Sequence, residues 1–73
     1  MPLRPLSFRE VRRRLEAAGF TEAGTRGSHV KFMSKLPGGT RTAIVPKHRE
    51  IQVGTLRSIL RQAGLSVEEF ENL

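Results

Sequence analysis

With 73 residues and a formal net charge of +6, the chain has room for one domain, expected to span residues 1–73, and its basic balance points to a polyanionic partner. The absence of cysteine excludes a disulfide frame, a thiolate metal site and a thiol nucleophile. Apolar runs such as Ala43 to Val45 reach only three residues, far below the ~20 of a membrane span, and the Met1-Pro2 start lacks the apolar stretch of a signal peptide, so a cytoplasmic protein with no membrane partner is expected.

The charge is unevenly spread. Residues 1–49 carry eleven basic and three acidic side chains, whereas residues 50–73 carry two and four. All seven acids are Glu, and ten of the thirteen cations are Arg, the cation whose planar fork suits phosphate.

In chain order, Ser7-Phe8-Arg9-Glu10 reads as a capping box that starts a helix, with Leu6 and Val11 at the staple positions around it. Phe8, Val11, Leu15 and Ala18 recur at helical spacing until Gly19, so the first helix is expected over about 7–18. Phe20 to Ala23 reads as a short strand and Gly24 to Ser28 as a turn. His29 to Ser34 reads as a half-buried strand with Val30 and Phe32 inward. Leu36-Pro37-Gly38-Gly39 is a turn signal, because Pro presets one corner and Gly takes the next. A third strand is expected over Thr40 to Val45, with Ala43 and Val45 inward and Pro46 ending the pairing.

Pro46 to Val53 is a longer connection than the usual ~4 to 6 residues. Leu56, Ile59, Leu60 and Ala63 mark a second long helix, capped by Gly54 or Thr55 and closed by Gly64. Ser66-Val67-Glu68-Glu69 repeats the capping-box pattern, so a short terminal helix should return Phe70 and Leu73 to the core. The fold class is thus α+β: α-β-β-β-α with an antiparallel three-stranded sheet, both long helices on one face, and a short C-terminal helix.

The period of two sends His29 and Lys31 to the open face, beside Thr42 and Ile44. His29 has two readings on these grounds: it begins a strand and bonds its own turn, or it stands with Arg26, Gly27 and Ser28 where a phosphate could sit. His48, between Lys47 and Arg49, has three readings: it caps a strand end, takes a direct part in catalysis, or positions a substrate phosphate. The Arg12-Arg13-Arg14 run reads as the solvated side of the first helix. Two histidines without Cys or Asp do not complete a closed zinc site, no carboxylate pair is spaced for two metals, and no Gly-rich nucleotide loop follows a strand, so no metal or cofactor is expected. Transesterification of RNA suits what remains, because the substrate's own 2′-hydroxyl is the nucleophile and the protein need only move protons and stabilise charge.

Gly27-Ser28-His29, then Val45-Pro46-Lys47-His48, then Gly54-Thr55-Leu56-Arg57-Ser58-Ile59-Leu60-Arg61-Gln62-Ala63-Gly64-Leu65 and Glu68-Glu69-Phe70 together resemble the HicA (YcfA-like) family of toxin mRNA interferases, from about residue 7 to the C-terminus. That resemblance implies a fold like that of double-stranded-RNA-binding domains, a catalytic His29, and a HicB-type antitoxin encoded alongside. The chain departs from duplex-binding relatives of that fold in lacking a lysine cluster on the second long helix, which offers only Arg57 and Arg61 beyond its N-cap. Ile44 stands where the family suggests a polar residue, so part of the open face is expected to meet the antitoxin.

The leading expectation is therefore a metal-independent endoribonuclease toxin of a type II pair. It would cut single-stranded mRNA and so inhibit translation and growth, with His29 as general acid or base. Arg26, Ser28 and Lys31 would stabilise the phosphorane, and Lys47, His48 and Arg49 would contact the RNA. The rival readings are a non-catalytic RNA-binding module of the same fold and a basic protein that serves only an acidic partner.

Overall fold

A computed structural model describes residues 3–36 and 39–73. Its elements run α1 (Phe8–Ala17), β1 (Thr21–Arg26), β2 (His29–Leu36), β3 (Gly39–Pro46), α2 (Val53–Ala63) and α3 (Val67–Glu71). The strands form one antiparallel sheet in the order β1-β2-β3. This is the α+β arrangement expected from the sequence.

The core forms because the inward residues of the strands and the apolar stripes of the helices meet on one side of the sheet. Val30, Phe32, Ala43 and Val45 are buried together with Val11 and Leu15 of α1, Leu56, Ile59, Leu60 and Ala63 of α2, and Phe70 of α3. Phe8 of α1 packs against Phe32, with ring centroids 6.2 Å apart. The other face, carrying His29, Lys31 and Ile44, is left to solvent.

Ser7 caps α1 as expected, its Oγ accepting from the Glu10 N–H at 3.1 Å. The reciprocal half of the box is not made, because the Glu10 carboxylate is drawn to Arg13 (2.6 Å) and Arg14 (2.8 Å). Arg14 is consequently not part of a solvated face. Its guanidinium lies 5.0 Å from the Phe70 ring centroid and donates to the Phe70 carbonyl at 3.4 Å, tying α1 to α3. At Ser66 the full capping box forms, with both bonds present.

The sheet differs from the sequence expectation in its edges. β1 extends to Arg26, so Gly24 belongs to a strand and the turn shrinks to Gly27 and Ser28. A β-bulge falls between Glu22 and Gly24, where three residues oppose Lys31 and Phe32. Gly27 has φ 60°, which suits the first corner of a type II′ hairpin and favours glycine. Pro37 and Gly38 of the expected second turn lie outside the described residues, but Leu36 and Gly39 face each other across its base. Pro46 does not end the pairing: it faces His29 in register, and the Lys47 N–H beyond it donates to the Ser28 carbonyl at 2.6 Å.

The connection after β3 is held by the N-terminal segment. Leu6 and Ile51 form an antiparallel bridge, each donating to the other's carbonyl (3.1 and 2.6 Å), and the Phe8 N–H donates to the His48 carbonyl at 3.0 Å. Ile51, 1% exposed, is a core residue inside what the sequence presents as a loop. This bridge delivers the chain directly into α2, whose N-cap is Gln52 and not Gly54 or Thr55, with no side-chain capping bond. Gly64 closes α2 at φ 73°, as expected.

Candidate functional site

Three of the residues singled out in the sequence, Arg26, His29 and Lys31, line one shallow depression on the open face. Gly24 and Thr25 of β1 and Ile44 of β3 complete it. The register explains the gathering. His29 opens β2 and faces Arg26 on one side and Pro46 on the other, while Lys31 faces Gly24 and Ile44. Residues two apart on a strand share a face and stand roughly 7 Å apart, so the imidazole and the ammonium project side by side.

The floor at Gly24 carries no side chain, and nothing lies within 4 Å of where a Cβ would be. The bulge beside Gly24 disrupts the ladder and strengthens the local twist, a device that re-aims neighbouring side chains. Ile44, 39% exposed, forms the far wall and is the single large hydrophobic side chain exposed among the described residues. Its N–H points off the free edge of β3 and donates to Gln62 Oε1 of α2 at 2.8 Å, so this edge is partly closed by the helix.

Among the described residues, His29, Arg26 and Lys31 make no side-chain hydrogen bond or ion pair. Two cations and an exposed imidazole thus face solvent without a carboxylate neutralising them. Such a constellation can bind a phosphodiester, stabilise added negative charge on it, and carry a proton.

The remaining candidates go elsewhere. Ser28 lies in the hairpin turn, where its carbonyl holds Lys47. The Lys47 side chain lines a second groove, against Phe8, Arg9 and Arg12 of α1. His48 and Arg49 are exposed on the loop and line neither depression. The sequence reading missed Gly24 and Thr25, whose stretch Thr21–Arg26 lacks the apolar alternation of a strand; the pairing with β2 and the bulge bring them in. It also missed Arg9, which reads as one of several exposed helical cations.

A three-stranded sheet with its helices on one face and an imidazole between cations on the other defines a small basic α+β protein that presents a surface site. The sequence profile described as "HicA toxin of bacterial toxin-antitoxin" matches residues 8–65. The chain therefore belongs to the HicA toxin family, toxins of bacterial toxin-antitoxin systems, and membership implies an antitoxin partner. No curated protein matches the chain. Among the described residues no helix is long and apolar enough to cross a membrane.

Proposed function

We propose that this toxin is a metal-independent endoribonuclease that cuts single-stranded mRNA in the cytoplasm, with residues 1–73 acting as one toxin domain and a HicB-type antitoxin silencing it. The observation that carries this reading is the exposed, unpartnered imidazole of His29 flanked by Arg26 and Lys31 in one depression. In the reaction the substrate's 2′-oxygen attacks phosphorus and the bond from phosphorus to the 5′-oxygen breaks, giving a 2′,3′-cyclic phosphate and a 5′-hydroxyl. His29 moves one proton, either from the 2′-hydroxyl or to the departing oxygen, and solvent serves the other transfer. Arg26 and Lys31 offset the charge that builds on the phosphorane.

The reading is tested with His29→Ala. The side chain is exposed, so the variant should fold with a stability change below ~0.5 kcal/mol. Loss of a positioned proton-transfer group should lower cleavage by ~10² to 10⁴. His48→Ala, outside the depression, should lower it by no more than ~10-fold. The measurement is cleavage of a single-stranded mRNA in EDTA, with the fragment ends analysed and circular dichroism melts run in parallel. Wild-type cleavage by folded His29→Ala, or RNA binding by the wild-type protein without any cleavage, would remove His29 from the chemistry; the second result would favour a non-catalytic RNA-binding module.

A further inference from the structure

We infer that the groove between α1 and the loop after β3 is a second phosphate subsite, which takes the single-stranded RNA as it leaves the His29 depression and turns round the end of the sheet. The inference takes its ligand class from the reading above. The groove is lined by Phe8, Arg9, Arg12 and Lys47, with Glu10 and Glu16 also on its walls. Its acids are already matched: Glu10 is held by Arg13 and Arg14, and Glu16 by Arg12 at 3.5 Å. Arg9 and Lys47 make no side-chain hydrogen bond or ion pair among the described residues. They are the surplus charge of the groove.

Two backbone bonds fix this surplus relative to the site. The Lys47 N–H donates to the Ser28 carbonyl at 2.6 Å, one residue from His29, and the carbonyl of His48 accepts from the Phe8 N–H at 3.0 Å, one residue from Arg9. The cations Arg26, Lys47 and Arg9 thus follow one another round the end of the sheet where His29 begins β2. Phe8, held by its contact with Phe32 and only partly buried, leaves an aromatic edge beside the cations, a combination that suits a single strand with unstacked bases. The acidic side chains of the C-terminal segment, Glu68 and Glu71, line a different depression, against Leu3 and Arg4, so the cationic route is the one a polyanion would follow.

The test compares fluorescein-labelled single-stranded RNAs of about 4 and about 12 nucleotides, binding to His29→Ala protein with and without Arg9→Ala and Lys47→Ala. Alanine is the best helix former, so Arg9→Ala should fold, which circular dichroism checks. The double substitution should weaken the longer RNA about tenfold or more and the shorter one by less than about twofold. The salt slope for the longer RNA should fall by ~1.4, which is ~0.7 for each lost phosphate contact. Equal losses on both RNAs, an unchanged slope, or a loss confined to binding of an acidic antitoxin would overturn the subsite. Cleavage assays with His29 intact separate this from the underlying reading: if the wild-type protein cuts no RNA, the catalytic reading fails while the binding comparison still decides the subsite. If it cuts the longer RNA and the Arg9→Ala, Lys47→Ala protein cuts it equally well, the subsite alone fails.

Discussion

Glu10 is the acid on which the α1 surface turns. Its carboxylate accepts from Arg13 at 2.6 and 3.1 Å and from Arg14 at 2.8 Å, and these bonds, Arg13 first, lower its pKa from 4.5 to about 2. A carboxylate depressed in the folded state adds stability above its ordinary pKa, and that stability is lost as pH falls from about 4.5 toward 2. Glu10 and its main partner Arg13 are partly exposed, so screening reduces the contribution to ~1 kcal/mol. Glu10→Gln should therefore lower the melting temperature by ~4 to 8 °C at neutral pH, and melts repeated down to pH 3 should show the two proteins converging. A gap that stayed constant over that range would mean the charge is not what matters. The same residue shows what a local pattern can and cannot convey. Ser7-to-Glu10 and Ser66-to-Glu69 are equivalent in sequence, yet only the second closes a full box. Arginines three and four residues after Glu10 compete for its carboxylate, whereas nothing cationic follows Glu69 on α3, and bonds from Ser66 lower the Glu69 pKa.

At the scale of elements, the β1-β2 hairpin decides whether Arg26 and His29 meet. Its turn needs Gly27 at φ 60°, a region that a Cβ makes costly, although no atom stands within 4 Å of where that Cβ would go. Gly27→Ala should destabilise the protein by ~1 to 3 kcal/mol through backbone strain alone, and should lower RNA cleavage further than that loss of folded protein explains. Denaturant melts read the first effect and cleavage at a temperature where both proteins are folded reads the second; full activity in the folded variant would show that the turn does not set the site. The helices, β2 and the interior of β3 were legible because each carries its own period or cap. β1 was legible only in part, since all six of its residues are exposed and its partner, not its composition, makes it a strand. The start of α2 was misread for a related reason. Gly54 and Thr55 look like cap residues, but the Leu6-to-Ile51 bridge, a contact between distant segments, fixes where the chain enters the helix.

For the whole molecule, shape and charge act together. The chain is a slab measuring 31 × 30 × 17 Å, with its helices on one broad side and the His29 depression on the other. A partner that covers the open side blocks the depression without having to deform the core. The surplus of cations in residues 1–49 favours an acidic covering surface, and attraction of that kind accelerates encounter more than it tightens the final complex. Ile44, an exposed apolar wall beside Lys31, supplies the part of such an interface that phosphate would not use. An antitoxin is therefore expected to bury Ile44, Lys31 and His29, and its association rate should fall steadily as rising ionic strength shortens the Debye length toward about 10 Å and below. Ile44→Ser should speed dissociation of the antitoxin, while its effect on RNA affinity should stay within about twofold, because phosphate contacts dominate single-strand binding. Surface plasmon resonance with the antitoxin and anisotropy with RNA give the two readouts. Nuclear magnetic resonance shift mapping that placed the antitoxin only along Glu68 to Leu73, leaving the signals of His29 and Ile44 unmoved, would show that inhibition does not work by covering the sheet.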